Sequence, residues 1–509
     1  MNKIVWGGHL IAGISRSGVA EIIANGAAEI ADGRIVRVGP KDELVRGSPH
    51  AELLGSSNDV VFPGFVNAHH HQGVTPFQLG SPDLPLELWI NRRTGGKAVP
   101  PYLDTMYSAF EMVRSGVTTV QHLQGRLVGP IENIYANSNE ILRAYDDIGM
   151  RVSYSFGVRD QNRMVYEDDE IFAARLPGPL KSRAMAHVKN QAIRLEANFE
   201  LFDALREDAK GHKSRAIQLA PVNLQWCSDR ALELVGQCSA DANVPMHMHL
   251  LETTYQDYYA RHRAPGGSIV QFLRERGLLN DRLTLGHGVW LDEASLDRVA
   301  EEGVHICHNC SSNMRLRSGM APVRAMRRRN IGVAMGIDEA GLNDDRDMLQ
   351  EMRLVLHSNR TPGMEPGGIL TCCEVFQMAT EGGGDTTPFK GKIGRIEVGR
   401  SADLVLVDWS NVSSPYLDAE VPIVDALVQR AKSGAVHMVV IEGKTVLSGG
   451  VFVNVDEVGT IRELSDRLRG PVLPQELELR NMAIELQPFI KAFYETSGTA
   501  KITARREYR

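Results

Sequence analysis

The chain has 509 residues, 43% hydrophobic and 23% charged, and its 56 basic and 63 acidic side chains leave a formal charge of -7. Those proportions exclude disordered, collagen-like and coiled-coil proteins, and the negative balance gives no general pull toward nucleic acid or an anionic membrane. The length allows about three ordinary domains, or one large barrel with attachments.

The opening Met1-Asn2-Lys3-Ile4-Val5-Trp6 has no basic segment followed by an apolar one, and no apolar run reaches the roughly 18 residues of a membrane helix. A cytoplasmic protein is expected. Cys227, Cys238, Cys307, Cys310, Cys372 and Cys373 are too few and too scattered for a disulfide framework and read as reduced thiols.

The first sixty residues are short β-type runs, such as Arg34-Ile35-Val36-Arg37-Val38, punctuated by Gly and Asp. The same texture returns in Ala402-Asp403-Leu404-Val405-Leu406-Val407-Asp408 and His437-Met438-Val439-Val440-Ile441. Both ends therefore predict one small composite β-sandwich domain, from residues 1–59 and 393–456. Between them, apolar runs alternate with segments of helical period. Strands are expected at 60–66, 117–123, 151–157, 216–222, 244–250, 282–287, 304–308 and 331–337. Eight such units in series predict an α/β fold, a (β/α)8 TIM barrel over residues 60–392, with its chemistry at the C-terminal ends of the strands. Segments 182–206 and 294–302 would be outer helices. The long connections 72–107 and 158–181 read as a lid or substrate wall. Residues 457–509 read as a helical extension whose basic end, 501–509, is a packing arm or frayed terminus without function.

Chemistry concentrates at the strand ends. In Val61-Phe62-Pro63-Gly64-Phe65-Val66-Asn67-Ala68-His69-His70-His71, side chains alternate, so His69 and His71 share a face and are placed to grip one transition-metal ion. His70 points away. Val244-Pro245-Met246-His247-Met248-His249 repeats the arrangement, with Glu252 three residues on. His249 is the third expected ligand, and His247 is read equally as a buried hydrogen-bonded histidine or a site residue. Glu252 is placed to shuttle protons. His287, between glycines after Leu283-Thr284-Leu285, is open to three roles: ligand, proton carrier or turn residue. Asp338 closes Ile331-Gly332-Val333-Ala334-Met335-Gly336-Ile337 and could coordinate the ion and hold the attacking water.

Together these positions resemble the amidohydrolase superfamily, in its one-metal branch of cytosine and guanine deaminases, adenosylhomocysteine deaminases and triazine hydrolases. The family's Pro-Gly-hydrophobic-HxH signature matches residues 63–71, and its Leu-Pro-Leu-x-x-Trp stretch matches Leu84-Pro85-Leu86-Glu87-Leu88-Trp89. Its HxxE element falls on His249 and Glu252, and its HNPxSN motif resembles His308-Asn309-Cys310-Ser311-Ser312-Asn313. Cys310, Ile337 and Glu339 depart from the usual proline, threonine and glycine. Glu339 is read either as a selector of cationic substrates or, with more weight, as the partner of a nearby arginine. The CxxC spacing of Cys307 and Cys310 reads as two buried thiols, since no second pair exists to complete a zinc site.

The resemblance implies that His69, His71, His249 and Asp338 hold one divalent ion, zinc, with iron(II) or manganese(II) as alternatives. Hydroxide generated there would attack a trigonal carbon of a nitrogen heterocycle and release ammonia. Glu252, His287 and Asp338 would be catalytic. Gln72, Phe77, Trp89, Gln121, His122, Arg159, Gln225, Trp226 and Asn309 are the expected substrate contacts on strand-end loops. Amide hydrolysis, or triazine-type displacement of chloride or alkylamine, is the alternative chemistry, and a non-catalytic scaffold of the same fold the remote one. The expected partners are a small-molecule substrate and further copies of this chain in a homo-oligomer, with no nucleic acid and no membrane.

Overall fold

In the computed structural model, residues 2–125, 129–264, 268–364 and 368–496 are described; the basic end at 501–509 lies outside them. Among these residues no helix is long and apolar enough to cross a membrane.

The two chain ends do meet in one sheet. Its seven strands run in the order Val451–Phe452, Lys444–Ser448, Val436–Ile441, Leu404–Asp408, Asp59–Pro63, His9–Ile14, Ala20–Ala24. The central pairing is antiparallel, Leu404 opposite Pro63 and Asp408 opposite Asp59, and each of these two strands is buried almost throughout. A second sheet of four strands, Arg34–Pro40, Gly26–Ala31, Lys3–Trp6 and Glu52–Leu54, packs beside it. Val5, Leu10, Ile30, Val61, Leu404 and Leu406 share one apolar core between them.

The middle of the chain is a series of parallel strands. One set runs Arg215–Ile217, Arg151–Val158, Val117–Gln124, Phe65–His70, with Ala220–Pro221 also paired to Arg151–Val158. The other runs Met246–Leu250, Leu283–His287, His305–His308, Val333–Met335. Single parallel bridges join the sets at both ends: His70 to Asp338 on one side, Leu219 to Met246 and Asn223 to His249 on the other. Helices follow the strands. Ile131–Ile148 shows why: Ile134, Ile141, Leu142, Tyr145 and Ile148 recur at helical spacing on its buried face, and Gly149, at φ 87°, ends it in the left-handed conformation.

Three expected elements are divided. The strand expected at 216–222 is two short pairings on Arg151–Val158, Arg215–Ile217 and Ala220–Pro221. The strand expected at 60–66 breaks at Gly64, so that Asp59–Pro63 belongs to the seven-stranded sheet and Phe65–His70 to the parallel series. A Cβ at Gly64 would lie 2.1 Å from Thr118 Oγ1, so only glycine allows the neighbouring strand this close. The helix expected at 182–206 is two, Gly178–Asn190 and Leu195–Asp208. No Gly or Pro marks the break. The halves serve different cores: Leu180 and Ala184 pack with the C-terminal helix Pro474–Thr496, whereas Leu201, Phe202 and Leu205 pack in the main core.

Candidate active site

The strand ends converge on a cavity of about 750 Å³. His71, Gln72, Trp89, Arg159, Trp226, His249, Glu252, His287, Asp338 and Glu339 all line it.

At its floor three imidazole nitrogens form a triangle. Nε2 of His69, His71 and His249 lie 3.1 Å from one another on every edge. Each ring's other nitrogen is committed elsewhere. His71 Nδ1 donates to the Leu123 carbonyl at 2.6 Å, and His249 Nδ1 donates to the Val222 carbonyl at 2.8 Å. His69 Nδ1 lies 2.8 Å from His247 Nε2. The two carbonyl bonds fix the tautomers of His71 and His249, and with a cation at the centre His69 would carry its proton on Nδ1 against His247, so that three Nε2 lone pairs meet at a common point. Burial, reinforced by the neighbouring imidazoles, pushes His69 and His249 well below the ordinary histidine range, which keeps those lone pairs available.

Asp338 supplies the charge. Its Oδ1 is 3.2 Å from His71 Nε2 and 3.6 Å from His69 Nε2, while Ser312 Oγ donates to Oδ2 at 2.7 Å. Burial alone would raise this carboxyl, but the His71 hydrogen bond and the surrounding imidazoles hold it well below the usual carboxylate range. Burial likewise disfavours charge on His71, and contact with Asp338 outweighs it and raises His71. The donor set fits a divalent cation: a triangle of 3.1 Å edges has its centre about 1.8 Å from each nitrogen, so a point just off that plane meets the 2.0–2.1 Å zinc–nitrogen distance. One carboxylate beside it leaves a net charge of about +1.

The backbone is arranged to allow this. A Cβ at Gly336 would lie 2.4 Å from His69 Cβ and 2.5 Å from Asn309 Oδ1, so the strand carrying Asp338 approaches His69 only through glycine. Asp338 at φ 64° and His287 at φ 70° both adopt the left-handed conformation that side chains disfavour. Each such residue costs roughly 1–3 kcal/mol and persists only where its surroundings hold it.

His287 stands between two carboxylates. Its Nε2 is 3.6 Å from Glu252 Oε2 and 3.6 Å from Asp338 Oδ2. Nδ1 donates to Asn313 Oδ1 at 2.8 Å, which orients the ring. Glu252 is held by Ser318 Oγ, donating to Oε1 at 3.1 Å, and burial raises its carboxyl above the ordinary value. Behind it Glu87 accepts from Thr253 Oγ1 at 2.5 Å and from Tyr166 at 3.1 Å, and burial pushes its carboxyl up to about 7.

Five of the expected substrate contacts fall outside the cavity lining. Phe77 faces solvent at 57% exposure. Gln121 is sealed between strands and donates to Ser155, and His122, one residue on, points to the opposite layer and bonds Tyr145. Gln225 turns into the core. Asn309 is buried against His287, with Nδ2 at 3.3 Å from Nε2. Cys307 and Cys310 are both buried free thiols, as their spacing without a second pair suggests.

Several contributors carried no signal at sequence level. Arg93, which pairs with Glu339 and lies 5.1 Å from the Trp89 ring, is one, and Ser318 and the residues of helix Pro474–Thr496 are others. Glu339 is thus the partner of an arginine, the reading that carried more weight.

The sequence model of the amidohydrolase family matches residues 60–446. The chain belongs to the amidohydrolase family. A 5-methylthioadenosine/S-adenosylhomocysteine deaminase of Syntrophobacter fumaroxidans is 30% identical over 440 residues, covering 85% of this chain and 91% of that one. Among solved structures, an adenosine deaminase from Xanthomonas campestris with bound zinc superposes with a TM-score of 0.75 at 24% identity, covering 92% of this amidohydrolase and 98% of the other chain. Atrazine chlorohydrolase from Arthrobacter aurescens TC1, complexed with zinc, gives a TM-score of 0.79 at 18% identity, with 91% and 99% covered. The likenesses to solved structures speak for the fold.

Proposed function

We propose that this amidohydrolase is a metal-dependent deaminase of a nitrogen heterocycle of the aminopurine type. The observation that carries the reading is the triangle of His69, His71 and His249, facing Asp338 and lying within one ring's reach of Glu252, whose carboxyl burial raises. The aminopurine class is supported by relatives named for 5-methylthioadenosine and S-adenosylhomocysteine deamination over most of their length. We further read the two parallel strand sets as one (β/α)8 barrel, supported by the bridges at both of their ends. Because Asp59–Pro63 pairs in the sheet built from both ends, the small β domain is then residues 1–63, beyond the expected 1–59, with 393–456; the barrel runs from 65 to 392, and Glu457–Arg469 and Pro474–Thr496 are the helices of the extension.

Zinc is the ion assigned to His69, His71, His249 and Asp338. When bound, such an ion supplies Lewis acidity that brings the pKa of a water from 15.7 to about 7. The protein's residues do the rest. Glu252, with its carboxyl raised by burial, holds a proton and delivers it to the ring nitrogen beside the carbon under attack. His287, whose Nδ1 donates to Asn313, presents Nε2 as an acceptor that orients the attacking water. Asp338, ionised before the attack, accepts one proton from that water and passes it to the departing amine. The C–NH2 bond breaks, a C=O bond forms, the water's second proton restores Glu252, and one water is consumed for each ammonia released. Trp89 and Trp226 on the cavity wall offer faces for the ring to stack on.

The test is ammonia release by the zinc-loaded protein from adenosine, 5-methylthioadenosine, guanine and cytosine. Turnover of a purine above the others is expected. A fully loaded protein that releases ammonia from none of them refutes the assignment.

A further inference from the structure

The family match ends at residue 446, yet the chain continues into the helix Pro474–Thr496, and this helix forms part of the cavity wall. Leu479, Met482, Leu486 and Ile490 line the cavity at spacings of three and four residues, a single stripe along one face. The same four side chains join an apolar cluster with Met164 and Ala184, from the segment after the third parallel strand, and those two also line the cavity. The helix is fastened to the segment that carries Trp89 and Arg93. Asn91 Nδ2 donates to the Ala483 carbonyl at 2.6 Å, Arg480 Nε to the Gly95 carbonyl at 3.3 Å, and the Ala98 backbone to Glu476 at 3.0 Å. Ring contacts of Tyr494 with Tyr166 at 5.2 Å and of Phe493 with Phe172 at 5.9 Å fix its far end.

Two physical points follow. Met482, Leu486 and Ile490 are 3%, 4% and 1% exposed, so they form packed backing behind the half-buried Leu479 and Met164, which carry the open apolar surface of this wall. The cavity of about 750 Å³ belongs to the size class that encloses a whole drug-sized ligand, larger than a bare bicyclic ring. The polar residues that the helix adds to the lining, Gln475 and Glu478, are exposed and lie in its first turns, away from the buried stripe.

We propose that the C-terminal helix completes a hydrophobic subsite, and that the substrate is a nitrogen heterocycle carrying an apolar substituent received by Met164 and Leu479, with Ala184, Met482, Leu486 and Ile490 packed behind them. This rests on the deaminase reading and extends it from the reacting ring to the rest of the molecule. The helix is then a specificity element beyond the stretch that the family's sequence model matches, and substituent and ring are recognised by separate parts of the chain.

The test compares two probes with the same reacting ring, adenosine and 5′-deoxy-5′-butylthioadenosine, on the zinc-loaded native protein and on two variants. Leu486→Ala removes part of the buried wall. Leu479→Trp acts at a half-buried position and fills the space without hollowing the core. The native protein should show the lower KM for the butylthio probe. Each variant should raise the ratio of the butylthio KM to the adenosine KM by about tenfold, the scale of a lost or blocked methylene contact. Equal KM values on the native protein, or variants that move both probes together, overturn the subsite while leaving the deaminase reading standing. Absence of turnover with both probes leaves KM unread and sends the deaminase reading to the guanine and cytosine arms of the test above. Calorimetric titration of the butylthio probe then decides the subsite: binding weakened about tenfold in Leu479→Trp supports it, and equal or absent binding overturns it.

Discussion

Nδ1 of His69 lies 2.8 Å from Nε2 of His247, and both rings are sealed from solvent. His247 reaches no open position of the site, yet when Nε2 of His69 holds a cation it is the acceptor for the proton that Nδ1 must then carry. Outer partners of this kind are worth roughly 10 to 100-fold in metal affinity. His247→Ala should therefore lose zinc about 10 to 100-fold more readily to a chromophoric chelator, and His247→Gln, which keeps an acceptor, should recover much of the loss. Equal affinity in native protein and His247→Ala would show that His69 needs no such partner.

Glu252→Gln keeps the side chain's shape and its bond to Ser318 but cannot supply a proton. Zinc content should match the native protein, while ammonia release falls by roughly 100 to 10,000-fold, the usual worth of a positioned proton donor. A variant that turns over at the native rate removes Glu252 from the mechanism.

Glu87 gives a prediction in pH. Its carboxyl titrates near 7 in the folded chain against an ordinary value of 4.5, because it is buried. Between those values the folded protein holds a proton that the unfolded chain has lost, so the native state loses stability as pH rises across that window, by at most about 1.4 kcal/mol per unit. Glu87→Gln abolishes this loss while still accepting from Thr253 and Tyr166. The melting temperature of the variant, measured relative to the native protein from pH 5 to 8, should rise with pH. Glu351, which burial also raises to about 7, is common to both proteins and cancels in the difference. A flat difference would mean that Glu87 titrates normally.

Arg93 and Glu339 form an ion pair on the cavity wall, with side chains 26% and 8% exposed. Removing one partner leaves the other charge poorly solvated. Because Arg93 keeps some access to water, the cost of Glu339→Gln should fall below the 3–5 kcal/mol of a fully buried pair, at about 1–3 kcal/mol. Arg93→Met with Glu339→Gln should be more stable than the sum of the two single changes by at least about 1 kcal/mol in chemical unfolding. Additive effects would show that the pair contributes no coupling.

Much of the centre could be read from the sequence because strand geometry is simple. Alternation alone puts His69 and His71 on one face and His247 and His249 on another, and His249 stands out because it lies nearer the strand end. What alternation cannot give is which layer a side chain enters once helices pack outside. Hence Gln121 and His122, adjacent and both polar, ended in two different buried layers, neither of them the cavity. Loop residues were harder still, since Phe77 and Trp89 lie on the same connection and only Trp89 turns inward. The broken helix at residues 191–194 had no local mark, being imposed by two separate cores. The C-terminal helix reads as a plain amphipathic segment, and nothing in its composition says that its apolar stripe faces a cavity.

At Gly64 the polypeptide leaves a sheet made from both termini and, one residue later, enters the strand that delivers His69 and His71. The peripheral sheet is therefore an anchor for the reactive centre and no detachable appendage. A fragment lacking either end would release the tether on the very segment whose placement must be most rigid. Damage at the margin of this protein, far from any reacting atom, would be felt first as loss of its metal.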